Sequence, residues 1–312
     1  MKGTATPLPP RDGVSASCVG LPAGPWLTIT DFLCERFAAV PRDTWMRRMR
    51  SGDVLDESGA IVTPERAYQP HVRVYYYREV DDEPRLPFEE HVLYQDETLL
   101  AVDKPHFLPV TPTGPYLHDT LLVRLRRKLG LPDLAPLHRL DRETAGVMLF
   151  CIQPQWRAAY SALFAKREVH KVYEAVAPWQ SALEQPRSYA SRLVQSPDNF
   201  MQVVEVPGAP NAHTRIEMLA HAGELARYRL YPSTGKRHQL RVQCATLGAP
   251  ILNDLIYPKL APLGSDRHDA PLQLLARSLA FRDPLDQRWR EFETRLELKA
   301  WSAASPQPSI KV

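Results

Sequence analysis

Residues 136–150 read PLHRLDRETAGVMLF. A charged cluster of His138, Arg139, Asp141 and Arg142 runs without a break into the apolar stretch Ala145–Ile152. That stretch has the length and continuity of a buried strand. A carboxylate at the mouth of such a strand is held rigidly, as a nucleophile or base requires. Burial raises a carboxyl pKa above about 3.9, and a neighbouring guanidinium lowers it again. Read alone, the same residues also suit a solvated salt-bridge cluster.

Two further stretches bear on Asp141. Residues 169–176, VHKVYEAV, alternate as a half-buried strand carrying Lys171 and Tyr173. Residues 233–258 read STGKRHQLRVQCATLGAPILNDLIYP. A helix is expected over 237–247, stopped by Gly248 and Pro250. It would set Arg237 and Arg241 four apart on one face, His238 and Arg241 three apart, and Leu240, Cys244 and Leu247 in the core. Its N-terminus would follow Gly235 and Lys236, a setting that favours phosphate. STGKRH is not a nucleotide P-loop: the upstream glycine is missing, and arginine follows the lysine where serine or threonine is needed.

Outward from these stretches, strands are expected at 91–94, 99–102, 189–205, 213–231, 274–281 and 292–298. Helices are expected at 120–129, closed by Gly130, and at 155–166. Hairpins dominate the middle of the chain, so the class is α+β with a mainly antiparallel mixed sheet flanked by helices. Nearer the start, 26–50 reads as two short helices, the second begun by Pro41, capped by Gly52 and carrying Arg42, Arg47, Arg48 and Arg50. Short strands follow at 54–55, 60–62 and 72–77. The expected organisation is a flexible arm (1–25), a small α/β module (26–80), an acidic linker (81–90) and a large domain (91–305).

His138–Gly146 matches, without a gap, the run H-R-L-D-R-x-T-S/A-G of the RluA-type pseudouridine synthases. Lys171, Tyr173 and Ala175 resemble that family's K-x-Y-x-A strand. Gly235–Gln243 resembles its G-R-T-H-Q-I/L-R-V-H run, and Gly248, Pro250, Ile251, Asp254 and Tyr257 resemble G-x-P-I-x-G-D-x-x-Y. Asp103, Lys104 and Pro105 resemble the opening N-K-P. The resemblance covers about 90–300, and the small module resembles an RNA-binding module first described in a ribosomal protein. Lys236-Arg237, Gln243 and Asn253 depart from the patterns, which bears on substrate choice.

The resemblance implies the pseudouridine-synthase fold and isomerisation of uridine in structured RNA; the basic second helix of the small module puts large-subunit rRNA ahead of tRNA. Flipping the base out costs a few kcal/mol. Asp141 would start the chemistry, by attack on the anomeric carbon or by removal of the 2′ proton. Tyr173 would stack on the flipped uracil and Arg241 would pair with Asp141. Arg139 would fill the gap left by the base. Arg142, Lys171, Lys236, Arg237 and His238 would bind substrate, although His138 and His238 also suit internally bonded structural roles. The implied reaction needs no cofactor and no metal.

The 312 residues carry a net charge of +3, but Leu121–Val172 holds ten Lys/Arg against four Asp/Glu, a local +6 that suits a phosphate backbone. Cys18, Cys34, Cys151 and Cys244 lack zinc or disulfide-framework spacing and suit a cytoplasmic chain. No apolar run is long enough for a membrane span, and the start lacks a signal-peptide core. The expected state is a monomer. Two other classes compete. A non-catalytic RNA-binding or ribosome-assembly factor would be indifferent to Asp141→Asn. A phosphohydrolase would need Mg²⁺ and more carboxylates than Glu143 near the nucleophile.

Overall fold

The computed structural model describes residues 8–80, 82–262 and 264–304, so the first seven residues of the expected arm, residue 81 of the expected linker and residues 263 and 305 of the expected large domain lie outside them. The chain forms two compact units.

The smaller unit holds 8–84 and Thr111–Pro132. Its elements are β1 (Ser17–Gly20), α1 (Ile29–Arg36), α2 (Arg42–Arg50), β2 (Val54–Asp56), β3 (Arg73–Tyr76) and α3 (Leu121–Leu129). Thr28 opens α1 with a capping box to Asp31, which satisfies backbone donors that a helix start leaves orphaned. The two helices bury Ile29, Phe32, Leu33, Trp45 and Met49 against Val54, Val74 and Tyr76. The sheet order is β1-β3-β2, all antiparallel. Two sequence expectations change here. Residues 17–20, assigned to a flexible arm, form β1, because β3 offers an edge to pair with. Residues 60–62 reduce to a single bridge from Ile61 to Leu55.

Thr111–Pro132 joins this unit for two reasons. Val123 packs with Val14 and Leu117, and Arg126 and Arg127 donate to the carbonyls of Gly13 and Asp12. Glu83, in the expected linker, accepts the backbone N–H groups of Leu117, His118 and Asp119.

The larger unit holds Arg85–Val110 and 133–304. Its elements are β4 (His91–Gln95), β5 (Leu99–Lys104), β6 (Ala135–Pro136), β7 (Ala145–Cys151), α4 (Arg157–Ala165), β8 (His170–Pro178), β9 (Arg187–Gln195), β10 (Val203–Val206), β11 (Ala212–Ala222), β12 (Leu225–Pro232), α5 (Gln239–Thr246), β13 (Leu274–Arg282), β14 (Trp289–Glu293) and α6 (Lys299–Ala304). Eleven strands form one sheet with the main order β10-β9-β11-β12-β8-β13-β7-β5-β4. Among the described residues, β7 and β13 are the one parallel pair. The α+β class and the mainly antiparallel mixed sheet are as the sequence indicates.

All seven residues of β7 are buried. A strand in that position needs pairing on both edges and cover on both faces. Strands β5 and β13 supply the edges. Tyr160 and Leu163 of α4 join Leu99, Leu149 and Phe281 in one core. Leu240 and Cys244 of α5 join Ala175, Leu230 and Leu274 in another. Each fully buried leucine or phenylalanine contributes about 1.5–3 kcal/mol.

Gly146 fixes the fit of the central pair. Its φ is +115°, and a Cβ there would strike the backbone of Ala276, whose nitrogen would lie 2.7 Å away. Gly146→Ala is therefore expected to cost about 3 kcal/mol or more, since both strands resist moving. A urea titration checks this; an unchanged midpoint would mean that the strands separate freely.

The final expected strand, 292–298, ends instead at Glu293. Thr294 Oγ1 donates to Asp103 Oδ1, and Arg295 N–H donates to Asp103 Oδ2 at 3.0 Å. The Thr294 N–H still reaches the Arg277 carbonyl at 2.9 Å, but the next N–H, that of Arg295, is taken by the buried carboxylate.

Candidate active site

Asp141 lies in the turn before β7, where Thr144 N–H donates to the Asp141 carbonyl at 3.1 Å. The turn is held from beneath by Lys104. This side chain is fully buried and donates to the carbonyls of Pro105, Leu108 and Arg142 at 2.9, 2.8 and 3.0 Å. Burial draws its amine down to about 7, against the pull of Glu143 and Asp141. The Asp141 side chain stays 22% exposed and faces a cavity of about 200 Å³.

Arg241 reaches this carboxylate from α5. The helix begins at Gln239, not at 237 as the sequence suggests, because His238 takes a left-handed turn with φ +53°. Arg241 is 1% exposed. Its Nε and Nη2 donate to Asp254 Oδ2 and Oδ1, both at 2.7 Å. Nη1 is left to face Asp141 Oδ2 at 3.3 Å and Glu143 Oε2 at 3.7 Å. Burial opposes the charge on Arg241, but Asp254, then Asp141 and Glu143, outweigh it and raise the pKa. A bidentate fork of this kind fixes direction as well as charge. Asp254 is fixed in turn by the N–H groups of Ile256 and Tyr257 at 2.8 and 3.1 Å. Asp254 lies in the fourth motif and carries no expected role from the sequence. Its acid-at-a-turn setting shortly after the helix was the available signal.

Tyr173 on β8 and Lys171, two residues before it, line the same cavity, with Leu140 and Leu274 as apolar surface. Burial, then the charge of Asp141, pushes the Tyr173 phenol above its ordinary range. Lys171 donates to the Thr234 carbonyl at 2.8 Å, and burial, then Arg167, lowers it to about 8. Arg139 and Lys236 are exposed on the rim. His238 also lines the cavity, with Nε2 3.9 Å from Asp141 Oδ1 and Nδ1 bonded to the Tyr257 hydroxyl at 2.9 Å. Burial lowers its pKa even though Asp141 favours the proton.

Three expectations come out differently. Arg142 is absent from the cavity lining; it pairs with Glu143 at 2.9 Å and Asp266 at 2.5 Å. Arg237 lines the cavity but precedes the helix, so it shares no helical face with Arg241. It donates to Gln195 Oε1 and to the carbonyls of Phe200 and Met201. Gln243, whose departure from the family's histidine was expected to bear on substrate choice, is fully buried against Thr214 and Ser191 and does not line the cavity. Among the described residues, no group of three metal-binding side chains occurs, and no helix is long and apolar enough to cross a membrane.

His138 is structural, in keeping with the plainer of its two readings. Its Nε2 accepts the Leu149 N–H at 3.1 Å, its ring stacks on Phe164 at 5.0 Å, and burial lowers its pKa to about 3. The folded chain therefore binds fewer protons here than the unfolded chain between about pH 3 and 6.5. The stability that neutral His138 supplies is present above 6.5 and is lost as pH falls through that window. Urea titrations from neutral to acid pH should show a steeper decline for wild type than for His138→Gln; equal slopes would contradict the assignment.

A sequence profile described as RNA pseudouridylate synthase matches residues 98–246, a span that takes in Asp141, Tyr173 and Arg241. An uncharacterized RNA pseudouridine synthase of Synechocystis is 30% identical over 229 residues, 73% of this chain and 78% of that protein. A dual-specificity RNA pseudouridine synthase, RluA of Pasteurella multocida, is 32% identical, with 64% of this chain and 90% of that protein aligned. The chain belongs to the pseudouridine synthase family. A solved human structure, RNA pseudouridylate synthase domain containing 4, superposes with a TM-score of 0.53 at 27% identity, covering 66% of this chain and 88% of that one. In family terms, the RluA-type motifs converge on one cavity: His138–Gly146 brings Asp141, 171–175 brings Tyr173, and 235–243 brings Arg241. The fourth brings Asp254, which lies outside the profile match and holds Arg241 from behind.

Proposed function

We propose that this chain converts uridine to pseudouridine in structured RNA, with large-subunit rRNA as the first substrate and tRNA as the second. The carrying observation is the aim of Arg241: two of its nitrogens are committed to Asp254, and the third donates directly to the Asp141 carboxylate at 3.3 Å, beside a cavity that Tyr173 also lines. This favours an oriented Asp141 carboxylate that begins the reaction by attack on the anomeric carbon or by removal of the 2′ proton. The glycosidic bond breaks, the uracil turns within the cavity, and carbon 5 takes the place of nitrogen 1. The hydrogen on carbon 5 leaves as a proton. Tyr173 offers its ring face to the uracil, a stacking contact of about 1–3 kcal/mol. Its raised pKa keeps the phenol protonated at rest, so a phenolate base would have to form during turnover. Arg139, exposed on the rim, is suited to fill the place of the flipped base, since a planar guanidinium stacks well.

The test is release of tritium from RNA labelled at carbon 5 of uracil, prepared from cells lacking this protein. The rRNA and tRNA fractions are assayed separately, without added metal. Release from the large-subunit fraction is the expected result. Release from tRNA alone would redirect the substrate assignment. Salt-sensitive binding without release from either would leave a non-catalytic RNA-binding factor.

A further inference from the structure

The cavity at Asp141 continues past Arg139 into a second cleft. The two share Arg139, Lys171, Tyr173 and Lys236, and the second adds Phe164 and Arg167. All its charges have one sign. Arg139, Arg167, Lys171 and Lys236 border it, and no aspartate or glutamate does. Among the described residues, none of these four cations is ion-paired. The only side-chain hydrogen bond they make here is from Lys171 to the Thr234 carbonyl. Cations brought together without an acid repel one another; burial lowers the pKa of Lys171, and the nearby charge of Arg167 lowers it further.

Arg167 has a second distinguishing feature. It follows the end of α4 in the left-handed conformation, with φ +62°. That position usually belongs to glycine, and a side chain there costs about 1 kcal/mol. The backbone turn itself is well made: Arg167 N–H donates to the Phe164 carbonyl and Glu168 N–H to that of Leu163. Neither ion pairing nor local geometry calls for an arginine. The wall beside it is the stacked pair of Phe164 and His138.

We propose that this cleft seats the phosphodiester adjoining the reacting nucleotide, with Arg167 binding the phosphate and the Phe164 side of the wall carrying the neighbouring ribose. The proposal rests on the reading of the Asp141 cavity as the uridine site. An anion relieves the repulsion among the four cations, and a guanidinium meets phosphate oxygens with two donors. Arg167 is thus a substrate-positioning residue outside the chemistry.

The test uses the full chain and two readouts. In the first, Asp141→Asn protein, with and without Arg167→Gln, binds a short fluorescein-labelled oligouridylate over a salt series. Loss of the Arg167 charge is expected to weaken binding about fivefold and to make the slope of log affinity against log salt shallower by about 0.7, the value for one phosphate contact on a single strand. Arg167→Lys should restore most of the slope. Should Arg167→Gln melt early, Arg167→Gly relieves the positive φ and carries the same measurement. In the second, tritium release by the Arg167 variants with Asp141 intact should show KM raised about fivefold and kcat kept. Unchanged affinity and slope would overturn the cleft assignment even if wild type is active. An inactive wild type would overturn the uridine reading, while the binding series would still decide whether Arg167 meets phosphate.

Discussion

Asp141→Asn is expected to lower tritium release on the order of 10⁴-fold or more, the scale seen when an enzyme loses its reacting group. The substitution keeps the shape of the side chain and an oxygen that can accept from Arg241. It removes the negative charge, and with it both routes by which the reaction could begin. Stability should hardly change. Asp141 is partly exposed, its contact to Arg241 is 3.3 Å, and the buried guanidinium keeps Asp254 as its main partner. The expected cost is below about 1 kcal/mol. Assay and urea titration on one preparation decide the matter. Activity within tenfold of wild type would remove Asp141 from the chemistry.

Asp254→Ala should have the largest effect on stability. It leaves Arg241 buried with two donors unpaired and removes the acceptor for the Ile256 and Tyr257 N–H groups. Breaking a buried pair from one side costs about 3–5 kcal/mol. Activity should fall with it, because Arg241 no longer has a fixed direction. The double variant Asp254→Leu with Arg241→Met separates the two effects: apolar replacement of both partners should recover much of the stability. It should recover none of the activity. A cost under about 1 kcal/mol for Asp254→Ala would mean that solvent or another acid reaches Arg241.

The parts legible in the sequence were those carried by local pattern. The apolar run after Asp141 specified β7, alternation specified β8, and the resemblance to the family's motifs named Asp141, Tyr173 and Arg241. What escaped depended on partners distant along the chain. Gly146 could be named as a motif residue, but its reason is the backbone of Ala276. Arg142 looked like a substrate ligand until Asp266 came within 2.5 Å. Arg237 and Arg241 appeared to share a helix face because nothing in 233–241 announces that His238 turns left-handed. Asn253 is the reverse case. It stands where the family has glycine, and its φ of +63° is one that asparagine tolerates better than most residues. The pairing of β1 was invisible because Ser17–Gly20 has too little apolar character to read as a strand on its own.

The parallel pairing of β7 with β13 has a consequence for how the protein comes into being. One edge of β7, the strand that follows Asp141, is met by β5, made earlier in synthesis, but the other is met by residues 274–282, more than a hundred positions later. Contacts so far apart in sequence form late and slowly. A nascent chain that has already emerged through Asp141, Tyr173 and Arg241 therefore carries the whole chemical complement while the floor beneath it is half laid. The cavity stays incomplete until the late segment, which also supplies Leu274 to its lining, has paired.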